Sequence, residues 1–222
     1  MHHPAVRPGV PTSQYDPSAT LTPDPPEGYG PPEEFHYSLP VMLGVILLLL
    51  GPALLVFGTL LWYGQGSAAL ADFFGVTVAD DAGFEATVPI AVGGVFVAAV
   101  AVVTVLHELV HGLAFRLKGY QVSYGAAPQL GAFYAAAFHQ FQARNDVVLV
   151  GVAPLLVLDA LLIPLLFVPV PAVAFFAFVA LLFNTLGAAG DLYLLARLAR
   201  MPAETLLYDS DIRHSYVFYS KA

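Results

Sequence analysis

The pentapeptide His107-Glu108-Leu109-Val110-His111 is the densest group of metal-capable side chains in the sequence. On a helix, residues four apart share a face, so the two imidazoles can hold a single Zn²⁺ between them. The glutamate between them is rotated off that face, where it can take a proton from a metal-activated water. The motif lies in an apolar run from about Val88 to Arg116 and Lys118. Ionisable groups are costly in such a setting and mark functional sites by default.

The elements that must position these groups are membrane helices. Of the 222 residues, 58% are hydrophobic and only 11% are charged, against the quarter usual for soluble domains. The expected fold is an all-α polytopic membrane protein of four transmembrane helices. The spans read as about Leu39–Tyr63, Val88–Leu117, Asp146–Val168 and Ala172–Leu198. Gly51-Pro52 suggests a kink in the first. Pro154 and Pro164 fall inside the third, and Trp62-Tyr63 forms an interfacial anchor. Between the first two spans lies an acidic loop with Asp72, Asp80, Asp81 and Glu85, which has room for a short helix over residues 67–74.

Three stretches fall outside the spans. Residues 1–38 are rich in proline and acids and read as a disordered tail. It lacks the apolar core of a signal peptide, and His2-His3 reads as a terminus rather than a metal site. Residues 119–145 are less apolar: Tyr120–Tyr124 reads as extended, Pro128 and Gly131 as a turn, and Gly131–Tyr134 as the return. Residues 201–222 form a short polar C-terminal segment with room for a strand or two. The membrane domain is therefore residues 39–200.

Charge sets the orientation. With the N-terminus inside, all eight basic residues (Arg7, Arg116, Lys118, Arg144, Arg197, Arg200, Arg213 and Lys221) are cytoplasmic. A multi-pass cell-membrane protein with both termini in the cytoplasm is expected. The net charge of −8 argues against nucleic acid as a partner. The absence of cysteine excludes disulfides and thiolate metal sites, so any metal must be held by His, Asp or Glu.

Catalytic zinc takes three protein ligands and leaves a position for water. The third ligand must come from another span. In this topology His111 lies five residues before Arg116, and Asp191 lies six before Arg197. Both are then about two helical turns from the cytoplasmic surface. Asp191 is the first choice and Asp159, nearer mid-membrane, is the rival. Asn184, two turns before Asp191, could hydrogen-bond a substrate backbone or the reaction intermediate, or simply pack helices. His139, Glu204 and His214 are weaker candidates.

His107–Gly112 on one span and Asn184–Tyr193 on a later one resemble intramembrane zinc metalloproteases of the site-2 protease type. The smaller zincin peptidases allied to that group are a closer likeness. The resemblance covers roughly residues 88–200. It departs at the second motif, where the family's Leu-Asp-Gly is here Gly190-Asp191-Leu192. It implies a Zn²⁺ cofactor held by His107, His111 and Asp191, with Glu108 as general base. The implied substrate is a transmembrane or membrane-proximal peptide segment within the lipid bilayer. It also implies that residues 120–142 pair with an unwound substrate strand. Two other readings compete: a zinc-binding membrane scaffold without cleavage, and a small metal transporter.

Overall fold

A computed structural model of the chain describes residues 23–78, 84–127 and 132–221. Among these described residues, four helices or helix pairs are long and apolar enough to cross a membrane: Leu39–Gln65, Ile90–Leu117, Arg144–Phe167 and Pro171–Leu198. Their bounds agree with the four expected spans to within a few residues. The chain divides into two compact units, and the division runs through continuous helices, between His107 and Glu108 and between Ala153 and Pro154.

One unit holds residues 40–107 and 154–189. It starts with α1 (Leu39–Gln65), which continues as a helix through Pro52. α2 (Ser67–Phe74) occupies the part of the acidic loop that had room for a short helix. Gly75, at φ 64°, closes α2 with its N–H on Asp72 O. This left-handed cap suits glycine, which has no side chain to clash. β2 (Val76–Val78) pairs with β3 (Phe84–Ala86); Asp80 and Asp81 lie outside the described residues. The Gln65 amide donates to Leu166 O and Val168 O, tying the end of α1 to a 3-10 turn at Ile163–Phe167. α5 (Pro171–Gly187) carries Phe175, which packs against Phe73 and Phe74.

The other unit holds residues 108–153 and 190–222 with the N-terminal segment. α3 (Ile90–Leu117) ends at Gly119, φ 87°, with Tyr120 N–H on Phe115 O. β4 (Ser123–Ala127) and β5 (Ala132–Ala136) form an antiparallel pair. The return strand was expected. The outgoing strand begins three residues later than its sequence suggested, and the turn residues Pro128 and Gly131 lie outside the described residues. The delay has a cause: Tyr120 and Gln121 are held by side chains. Tyr120 donates to Asp146 and accepts from Ala143 N–H, and the Gln140 amide bonds both backbone groups of Gln121.

β6 (Phe141–Ala143) leads into α4 (Arg144–Leu162). α6 (Ala189–Leu198), β7 (Leu206–Asp209) and β8 (Ser215–Phe218) complete the chain. The last expected span is thus two helices, α5 and α6, that meet at Ala188. Beyond the hairpin, four strands form an antiparallel sheet in the order β1-β8-β7-β6, where β1 is Glu33–Phe35. β1 falls inside the stretch read as a tail. Three residues bury little apolar area, but Glu33, Glu34 and Phe35 stand opposite Val217, Tyr216 and Ser215, so main-chain pairing holds them. The Tyr29 hydroxyl also donates to Glu204 O. Residues 1–22 lie outside the described residues. The core of this unit is Ala114, Phe115, Ala137 and Val150, with a second cluster of Val147, Leu198 and Leu207.

Candidate metal centre

α3 carries His107, Glu108 and His111, with both histidines buried. His107 Nδ1 lies 2.9 Å from Asn184 Oδ1. The Asn184 amide nitrogen donates to Asp159 Oδ1 at 2.9 Å and to Pro154 O at 3.2 Å. A carboxylate and a carbonyl accept hydrogen bonds, so the amide NH₂ must face them and Oδ1 must face the imidazole. His107 Nδ1 is then the protonated nitrogen, and Nε2 carries the lone pair.

His111 is fixed in the same sense. Its Nδ1 is 3.0 Å from Val150 O, a group that can only accept, so Nδ1 carries the hydrogen here too. The opposite nitrogen, Nε2, lies 3.4 Å from Asp191 Oδ1. Asp191 sits in the first turn of α6, where the helix dipole favours a carboxylate.

The ligand-capable atoms of His107, His111 and Asp191 all lie within 4.8 Å of one another. Two ligands each about 2.1 Å from a tetrahedral ion stand about 3.4 Å apart, which is the His111–Asp191 spacing. Hydrogen bonding of each Nδ1–H to an acceptor is the usual support of a metal-binding imidazole. The residues present therefore fit a zinc ion. They would equally fit another divalent metal that accepts two imidazoles and a carboxylate.

Glu108 Oε2 accepts the backbone N–H of Ala135, in β5, at 2.9 Å. Because this N–H reaches Glu108 it is turned away from β4, so the pair that Ala135 makes with Tyr124 is of the non-hydrogen-bonded kind. Phe133, two residues earlier and opposite Ala126, presents its N–H and C=O on the same outer edge. Among the described residues β5 pairs with no strand but β4, so the hairpin lays an open strand edge beside Glu108.

The remaining candidates stand elsewhere. Asp159, the rival ligand, is engaged by Asn184. The Asn184 side chain, read either as a substrate contact or as a helix-packing amide, is 1% exposed and bonded to His107, Asp159 and Pro154. His139 occupies a left-handed turn with its N–H on Asp209 O, and His214 Nδ1 contacts the Asp211 carboxylate. Glu204 contributes its carbonyl to Tyr29. Neither the Val150 carbonyl nor the Ala135 N–H was foreseen, because a backbone group has no residue type to read. Outside the spans, burial, with help from Asp146, pushes the Tyr120 phenol up to about 12. It stays a neutral donor.

Residues 100–206, just under half the chain, match the model of a family described as putative zincin peptidase. The matched stretch includes every residue of this centre. No curated protein and no solved structure matches the chain. The family match and the apolar helices fit a zinc metallopeptidase in a membrane.

Proposed function

We propose that the protein is an intramembrane zinc metalloprotease that hydrolyses peptide bonds in transmembrane or membrane-proximal segments of its substrates. One observation carries the reading: each histidine is held through Nδ1, and Asp191 stands at ligand spacing from His111 Nε2. A bound zinc ion at His107, His111 and Asp191 would supply Lewis acidity to a peptide carbonyl and acidify water. Glu108 takes the water proton and hands it to the leaving amine. Ala135 N–H fixes the orientation of the Glu108 carboxylate. The outer edge of β5 pairs with substrate main chain, which must unwind before a peptide bond is accessible. Asn184 and Asp159 hold His107 in place rather than touch substrate. Both termini face the cytoplasm, since that arrangement puts every Lys and Arg there.

The test is metal content and cleavage in the purified full chain. Wild type and Glu108→Gln should each hold one zinc, while His107→Ala and Asp191→Ala lose it. Only wild type should cleave, with Glu108→Gln down by about 10²–10⁴. Absence of metal from zinc-supplied wild type would sink the reading in favour of a scaffold. Metal flux that survives Glu108→Gln would favour a transporter.

A further inference from the structure

We infer that Pro154 is a positioning residue for both histidines: its missing N–H leaves the Val150 carbonyl to His111, and its own carbonyl helps to orient the amide that holds His107. The inference rests on the reading of His107 and His111 as zinc ligands.

In an α-helix every N–H donates to the carbonyl four residues back. Pro154 lies inside α4 and has no N–H. The carbonyl it fails to satisfy belongs to Val150, and the proline ring also crowds that carbonyl out of the helical ladder. Val150 O is the group that accepts His111 Nδ1–H, at 3.0 Å. On its other side, the carbonyl of Pro154 accepts the Asn184 amide N–H at 3.2 Å, which turns Asn184 Oδ1 onto His107 Nδ1. A carbonyl has two lone pairs, so this bond is compatible with a helical one. Pro154 itself is buried to below 2% exposure. A proline kept in the middle of a membrane helix thus provides the acceptor for one histidine and orients the amide that holds the other.

An ordinary residue at 154 would alter this balance. Its N–H would donate to Val150 O and compete with His111. His111 could then take the other tautomer, with Nε2–H donating to Asp191 Oδ1, now 3.4 Å away. That bond would block the nitrogen and the carboxylate that a metal needs.

The experiment compares wild type, Pro154→Ala and a third protein with the α-hydroxy analogue of alanine at 154. The third has a backbone ester, with neither N–H nor ring. Histidine tautomers are read by ¹⁵N NMR on the metal-free, detergent-solubilised full chain. Zinc affinity is read by chelator competition. Pro154→Ala should lose the His111 Nδ1–H signature and bind zinc about tenfold more weakly. Its thermal midpoint should not fall, because alanine is the better helix former. The ester should restore both signals. Unchanged tautomer and affinity in Pro154→Ala would overturn the inference, as would an ester that behaves like alanine, since proline would then only bend the helix. If wild type binds no zinc the protease reading falls, and the tautomers still decide the role of Pro154.

Discussion

Tyr124 lies against the backbone of Gly112, so closely that a Cβ there would overlap its hydroxyl and ring. Gly112 follows His111 directly, and Tyr124 belongs to β4, the strand that backs the edge beside Glu108. Arg116, one turn further along α3, lies over the same ring at 5.3 Å. A ring clamped between a glycine and a guanidinium sets the distance between α3 and the hairpin.

Gly112→Ala should therefore move the hairpin. By helix propensity alone the change would stabilise by about 1 kcal/mol. The clash should reverse that to a net loss of about 1–2 kcal/mol. In a Tyr124→Ala background the same change should become neutral or stabilising. A double-mutant cycle by thermal unfolding checks it, and additive effects would show that the two residues do not meet.

Asn184→Ala should weaken zinc binding by about 10–100-fold, because His107 loses the acceptor that orients it. Asp159→Ala should cost less and should still bind one zinc at saturation. Asp191→Ala should not. Titration with chelator-buffered zinc separates a ligand from a support. Full stoichiometry in Asp191→Ala with loss in Asp159→Ala would reverse the two acids.

Phe133→Pro should leave the hairpin intact and impair cleavage. Proline removes an N–H that points away from β4, the one kind of strand position that tolerates it. Zinc content should match wild type while turnover of a membrane-anchored peptide falls at least severalfold. Undiminished turnover would mean that substrate does not pair with this edge.

His139 should make stability depend on pH. Burial lowers its pKa from the ordinary 6.5. The folded protein then binds fewer protons than the unfolded chain just below pH 6.5, so stability is lost as pH falls through that value toward the lower folded pKa. His139→Asn keeps the left-handed turn, since asparagine tolerates φ near 59°. Urea unfolding at pH 8 and pH 5 should show wild type losing more stability than the variant. An equal loss would place the imidazole in water.

Much of this centre was legible in the sequence because hydrocarbon is intolerant of polar groups. His107, His111 and Asp191 stood out against their apolar surroundings, and counting residues to Arg116 and Arg197 put them at one depth. The same intolerance hides roles. Asn184 and Asp159 look alike whether they touch metal, substrate or each other, and only coordinates show a chain from Asp159 through Asn184 to His107. β1 was illegible for another reason. It is held by backbone pairing with β8, far along the chain, and leaves no periodic pattern in residues 33–35. The break at Ala188 had a faint signal in Gly187-Ala188-Ala189-Gly190, which also suits close helix packing.

The β1-β8-β7-β6 sheet draws its strands from three places: before α1, between α3 and α4, and after α6. Strands that share hydrogen bonds cannot stand on opposite faces of a bilayer. In the membrane orientation proposed above, the chain must therefore cross an even number of times between β1 and β6, and again between β6 and β7. α1 with α3 makes two crossings, and α4 with α5–α6 makes two more. The sheet works as a parity check on insertion. A single helix that failed to enter the membrane would strand one of its strands on the far side, so the sheet cannot close while any one of the four crossings alone is missing.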